Sequence, residues 1–141
     1  MLSARTRPEG RAAALDIGEV RTGVAISDPG RVLASPLEVI ETQALPAYLE
    51  DLVRREDVRD IVVGMPKTLG GEVGFQARRV LDRLETLRRE LPGVRFIEWD
   101  ERLTTRLAAA PGGKKRRRGR RLDHLAAARM LQEYLDARGE S

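Results

Sequence analysis

The sequence predicts an α/β fold: a mixed five-stranded sheet flanked by helices. Three observations carry this. A run of three strand-like segments opens the chain, and strands and helices alternate after it, the pattern of a mixed sheet with helices on its faces. The stretch AAALDIGEVRTGVAISD (12–28) reads as two apolar strands joined by a tight turn at Gly18 to Gly23. The run DIVVG (60–64) is short, apolar and β-branched, as a central parallel strand covered on both faces must be.

In order, residues 1–10 read as a flexible tail containing Pro8 and Gly10. The hairpin follows from Arg11 to Asp28, and Pro29-Gly30 marks a turn. Val32 to Ile40 is a third strand, which either starts near Pro36 or lies at a sheet edge, because proline cannot donate to a ladder. Leu45, Leu49, Leu52 and Val53 recur at helical spacing over 43–56, with Thr42 as the expected N-cap. Asp60–Gly64 leads into the loop Met65 to Gly71. A second helix, 73–91, carries the stripe Phe75, Val80, Leu81, Leu84 and Leu87 and stops at Pro92-Gly93. Val94 to Trp99 is the fifth strand, with Asp100-Glu101-Arg102 at its end. A helix starts over 101–109 and breaks at Pro111-Gly112-Gly113, opening a basic mobile loop, 110–121. The last helix runs from about Leu122 to Ala137, with Leu125, Ala126, Ala127, Ala128, Leu131 and Leu135 as its close-packing face.

Composition narrows the function. The 141 residues are 41% hydrophobic and 34% charged, and no apolar run is long enough for a membrane span. MLSARTRPEGR lacks the apolar core of a signal peptide. With no cysteine, thiol catalysis, disulfides and cysteine-ligated zinc are excluded, and a cytoplasmic location is expected. The basic character is local. KKRRRGRR (114–121) holds seven of the 26 basic residues, and removing those seven charges from the net +4 leaves −3. Lys114, Lys115, Arg116, Arg117, Arg118, Arg120 and Arg121 therefore read as a phosphate-binding patch, against the plainer reading of a solvated loop.

Acids supply the chemistry. An unpaired carboxylate inside a buried strand costs several kcal/mol, on the order of the penalty for a buried ion, so Asp16 belongs near its strand's end. As a site residue or as a turn cap, its two readings stand level on that stretch alone. Asp100, Glu101 and Asp123 also fall at element ends that such a sheet can bring together. With one histidine and no cysteine, clustered carboxylates suit Mg²⁺ or Mn²⁺. Two such ions about 4 Å apart can activate water and steady the leaving oxygen in phosphodiester cleavage. Taken singly, Asp16 could be a turn residue, Glu101 a first-turn acid and Asp123 an N-cap; the joint pattern favours metal.

The stretches ALDIGEVRTGVAISD (14–28), IVVGMPKTLGGEVG (61–74), DERLTT (100–105) and RLDHLAAARMLQEYL (121–135) resemble the YqgF (RuvX-like) family, described as Holliday junction resolvases and as pre-16S ribosomal RNA nucleases. The resemblance spans nearly the whole chain. It implies one ribonuclease H-like nuclease domain over 1–141, a metal site of Asp16, Glu101 and Asp123, and supporting roles for Gly18, Arg21, Gly23, Arg102 and Thr104. Two departures stand out: His124 follows Asp123, and the segment before Asp123 is slightly short. Adjacent strand residues point opposite ways, so only one of Asp100 and Glu101 reaches the metal; Glu101 is the choice.

Weaker signals remain. GMPKTLGG could cradle phosphate through Lys67, or be a plain strand-to-helix loop. Trp99 and Tyr134 could stack bases, with core packing the safer assignment. His124 could assist proton transfer, but reads better as an exposed first-turn residue. The expected partner is nucleic acid: single-stranded RNA, a ribosomal precursor by resemblance, with branched DNA as the alternative. No dimer seam is evident, so the chain is expected to be a monomer or weak homodimer. A sugar kinase or actin-like ATPase would need a second domain, and a non-catalytic nucleic-acid-binding module would use the acids structurally.

Overall fold

The computed structural model describes residues 10–65, 75–100 and 123–139. Strands β1 (Arg11–Ile17), β2 (Arg21–Ser27) and β3 (Ala34–Glu41) form an antiparallel meander. A 3₁₀ turn, Thr42–Ala44, leads into helix α1 (Leu45–Glu56), then β4 (Val58–Met65), α2 (Phe75–Glu90), β5 (Arg95–Asp100) and α3 (Asp123–Gly139). The sheet order is β3-β2-β1-β4-β5, with β4 parallel to both β1 and β5. This is the mixed five-stranded sheet the strand pattern predicts. Among the described residues, no helix is long and apolar enough to cross a membrane.

Composition explains the strand order. Ile61, Val62 and Val63 of β4 are fully buried, and so are Ala12 to Leu15 of β1. Both strands are covered on both faces and must lie inside the sheet. The third strand carries Pro36 and takes the edge, beginning two residues before the proline. Its pairing with β2 shifts between Val24 and Ala25, opposite Glu38 and Pro36, which leaves Leu37 as the extra residue of a bulge.

Two cores flank the sheet. Alternate residues Ala13, Leu15, Ile17, Ile61, Val63 and Phe96 pack with Leu45, Leu49, Leu52, Val80, Leu84 and Leu87 of α1 and α2. Their complements Ala12, Ala14, Ala25 and Val62 meet Ala127, Met130, Leu131, Tyr134 and Leu135 of α3. The alanines let α3 lie close to the sheet. Full burial of each large aliphatic side chain contributes about 1.5–3 kcal/mol.

Three expectations need correction. Leu125 is exposed at 43%, and Ala126 is also exposed. The buried stripe is 127, 130/131 and 134/135, and two residues of helix turn Leu125 about 200° from Ala127. Thr42 does not cap a helix: α1 begins three residues later behind Ala44, with Pro46 in its first turn and no side-chain cap. Thr42 is buried and bonded elsewhere. The fifth strand is shifted by one residue, to Arg95–Asp100. The tail at 1–9, the loop at 66–74, the Phe75 side chain, the helix expected over 101–109 and the basic loop lie outside the described residues.

At the start of β4, Asp60 is buried between two guanidiniums. It accepts from Arg31 Nη1 at 2.9 Å and from Arg95 Nε and Nη2 at 3.2 Å each. Burial alone would raise its pKa; hydrogen bonds from Arg95 and Arg31 outweigh that and hold it below the usual carboxylate value. Arg31 reaches this position with a left-handed backbone, φ 59°, and also donates to the Gly10 carbonyl at 2.9 Å.

Candidate active site

Asp16 is the next-to-last residue of β1 and is half-buried. The pleat sends it to the α3 face, with Ala12 and Ala14. It pairs across the hairpin with Gly23. On its other side, one step beyond the Leu15–Val63 pairing, it comes level with Gly64 of β4, which pairs with Trp99 of β5. The row across this face therefore reads Gly23, Asp16, Gly64, Trp99. Neither neighbour of Asp16 in this row has a side chain, and both glycines are buried. A half-buried carboxylate at a strand end is the oxygen donor Mg²⁺ and Mn²⁺ take. The residues present fit such an ion.

Trp99 closes the row. It packs edge-on against Tyr134, ring centroids 5.9 Å apart and planes at 87°. Tyr134 is 5% exposed, so this pair is a wall of the core and not a base-stacking platform. Arg21, two residues before Gly23 on β2, shares its face and is exposed. It stands at the Asp16 end of the sheet.

Gly18 has a structural task. Its N–H donates to the Arg21 carbonyl at 2.9 Å, and a Cβ there would sit 2.6 Å from that oxygen. Asp100 pairs with Met65, whose side chain belongs to the α1–α2 core. It therefore stands on the face opposite Asp16. Asp123 opens α3. Its side chain, together with Glu101, Arg102, Thr104, Lys67 and residues 114–121, lies outside the described residues. Among the described residues no three His, Asp or Glu side chains gather around a cation site. His124 is half-buried, not exposed as expected, and its buried Nδ1 has no hydrogen-bond partner among the described residues.

In the sequence Gly64 stands out only as the first residue of the GMPKTLGG motif, whereas the strand carries it to the Asp16 face. The signal was there: alternation through Val62 and Val63 puts residue 64 on the face of Val62, the Asp16 face. A cleft of about 200 Å³ opens on the other face, between Ile17, Gly18 and Glu19 and the α2 residues Arg79, Val80, Asp82 and Arg83. Arg79 and Glu19 close part of it with a 2.8 Å ion pair.

A mixed sheet in this order, with an acid at the end of its central strand, is the architecture of ribonuclease H-like proteins. RuvC of Thermus thermophilus, solved in complex with a Holliday junction substrate, matches the fold with a TM-score of 0.63 and 18% identity, over 93% of this chain and 96% of that one. A second Thermus thermophilus RuvC structure gives 0.61 and 17%, over 92% and 96%. The family model "RuvX: Holliday junction resolvase" matches residues 10–137, and the chain belongs to that family. A relative from Rubrobacter xylanophilus, named "Putative pre-16S rRNA nuclease", is 65% identical over 94% of this chain and 96% of its own length. One of the same name from Nocardia farcinica is 39% identical over 92% and 79%.

Proposed function

We propose that this protein is a divalent-metal-dependent nuclease with its centre at Asp16, Glu101 and Asp123, acting on single-stranded RNA in the processing of pre-16S ribosomal RNA. The observation that carries the metal reading is the half-buried Asp16 between two glycines at the end of a central strand. Asp100 stands on the opposite face, which favours Glu101 as the second acid. For Asp123, the support is a matter of length. Gln132 is bonded to Ala34 and Val32, beside the Ser27–Ala34 pair and the start of β1. Nine helical residues from Gln132 to Asp123 rise about 13.5 Å, and β1 rises about 13 Å from Ala12 to Asp16. A helix laid antiparallel to β1 from that anchor brings Asp123 to the Asp16 end.

Bound Mg²⁺ or Mn²⁺, one ion or a pair, would activate water and stabilise the leaving oxygen of a phosphodiester. The chain's own residues do the rest. The three carboxylates hold the metal. Arg21 on the Asp16 face, with Lys67, Arg102 and the basic residues 114–121, holds the phosphates on either side. The Trp99–Tyr134 pair bounds the row on the β5 side. RNA is preferred to junction DNA because relatives carry the rRNA nuclease name and one chain offers one site, whereas resolving a junction takes two sites related by symmetry. The protein would work in the cytoplasm as a monomer or weak homodimer, with 1–141 as one domain.

The test is a panel of labelled single-stranded RNA carrying a 16S precursor end, single-stranded DNA and a four-way junction, with Mg²⁺ or Mn²⁺. Metal-dependent RNA cleavage, absent in Asp16→Asn, supports the reading. Paired symmetric nicks in the junction with RNA untouched would move it to a resolvase. Binding without cleavage under all conditions would make it a non-catalytic module.

A further inference from the structure

The hairpin that carries Asp16 is gripped from outside its own strands by one side chain. Thr42, 1% exposed in the 3₁₀ turn, donates its backbone N–H to the Val20 carbonyl at 2.8 Å and its hydroxyl to the Gly18 carbonyl at 2.8 Å. The same hydroxyl oxygen lies 2.8 Å from that of Thr22, which is fully buried. A hydroxyl has one proton. Since Thr42 spends its proton on Gly18, Thr22 must be the donor of the pair. The result is a directed chain, Thr22 to Thr42 to Gly18, whose two threonines are both buried. Thr22 pairs with Ile17, and the next rung of the ladder is Asp16 with Gly23. The clamp therefore acts on the last rung beyond the proposed metal ligand.

We infer that Thr42 is a positioning residue for the metal site: its hydroxyl and backbone hold the 18–21 turn and with it the direction of the Asp16 carboxylate. This rests on the reading of Asp16 as a metal ligand. Thr42 touches neither metal nor substrate. It acts through Gly18 and Thr22, as the outer partners of metal ligands do. The direction of the chain makes an unequal demand. Loss of the Thr42 hydroxyl breaks the bonds to both the Gly18 carbonyl and the Thr22 hydroxyl, whereas loss of the Thr22 hydroxyl leaves the Thr42–Gly18 bond in place.

The experiment measures Mn²⁺ affinity by titration calorimetry, together with amide hydrogen exchange at Gly18 and melting temperature, for wild type, Asp16→Asn, Thr42→Val, Thr42→Ser and Thr22→Val. Wild type should bind Mn²⁺ and Asp16→Asn should not. Thr42→Val should bind about tenfold more weakly, the low end of the range for outer partners, and exchange Gly18 faster. Thr42→Ser should restore both, and Thr22→Val should lose less than Thr42→Val. If Thr42→Val does not fold, Thr42→Ala removes the same hydroxyl without crowding and carries the same expectation. Wild-type affinity in a folded Thr42→Val or Thr42→Ala protein, with binding abolished in Asp16→Asn, overturns this inference alone. A wild type that binds no Mn²⁺ overturns the metal reading and this one with it.

Discussion

Two aspartates stand on neighbouring central strands of one sheet and on the same face of it, yet their surroundings differ. Asp60, at the start of β4, is enclosed by Arg31 and Arg95, and its side chain is 11% exposed. Asp16, about 13 Å further along the strands, lies between Gly23 and Gly64. At the Asp60 end the sequence has put side chains that fill the carboxylate's valences from within the protein. At the Asp16 end it has put residues without side chains on both sides of the acid. An acid in a buried strand is thus not functional by itself. The neighbours across the ladder set what its charge can meet.

Exchanging each acid for its amide should separate the two ends. Asp16→Asn is expected to take metal-dependent cleavage below detection while the melting temperature stays within a few degrees. Asp60→Asn is expected to do the reverse. Removing one partner of a buried ion cluster costs about 3 kcal/mol, roughly a 10 °C fall in melting temperature for a domain of this size, with Mn²⁺ affinity unchanged. Calorimetric melting and Mn²⁺ titration of the two variants check this. Equal loss of binding in both would show that the two ends are not independent.

Acid sharpens the contrast. The folded-state pKa of Asp60 is lowered, so its contribution is present in full above the unfolded carboxylate value, near 4, and is lost as pH falls through the folded value. Arg95 is 60% exposed, so solvent screens its share and the Arg31 bond carries more of the effect. Melting temperature should therefore drop more steeply below about pH 4 in the wild type than in Asp60→Asn. Parallel slopes would remove the ion cluster as the cause.

A smaller change probes the row itself. Gly64→Ala adds one methyl level with Asp16. It should weaken Mn²⁺ binding severalfold, because that methyl stands on the face of the carboxylate. An unaltered affinity would show that the flank is not part of the site. The mildest effect is expected in the basic segment. Replacing Arg116, Arg117 and Arg118 with alanine should weaken all nucleic acids alike and flatten the salt dependence by up to about 0.7–0.9 per lost phosphate contact. An unchanged slope in a filter-binding salt series would show that the segment does not touch the backbone.

Much of the molecule was legible before any coordinates. The unbroken apolar runs of β1 and β4 determine that these strands lie inside the sheet, because only a strand covered on both faces can be apolar throughout. Pro36 narrows β3 to a strand start or a sheet edge, because it has no N–H to donate, and the sheet order puts it at the edge. Asp16 could be singled out because one charge in such a run must stand near its end, and Asp100 and Glu101 could be told apart in principle because strand neighbours point opposite ways. What only the tertiary structure decided is which residues stand beside which. Gly64 became a flank of Asp16 through the parallel register of β1 with β4, a pairing between residues nearly fifty positions apart. Thr42 had the look of a helix cap, since threonine before an apolar periodicity is one, but a 3₁₀ turn separates it from α1 and its hydroxyl faces Gly18 instead. Leu125 belonged by hydropathy to the packed face and by helical phase to the other. Local pattern sets strand and helix because backbone geometry is local. The partners of a buried polar group are chosen by register and packing across the fold, and no window along the chain contains them.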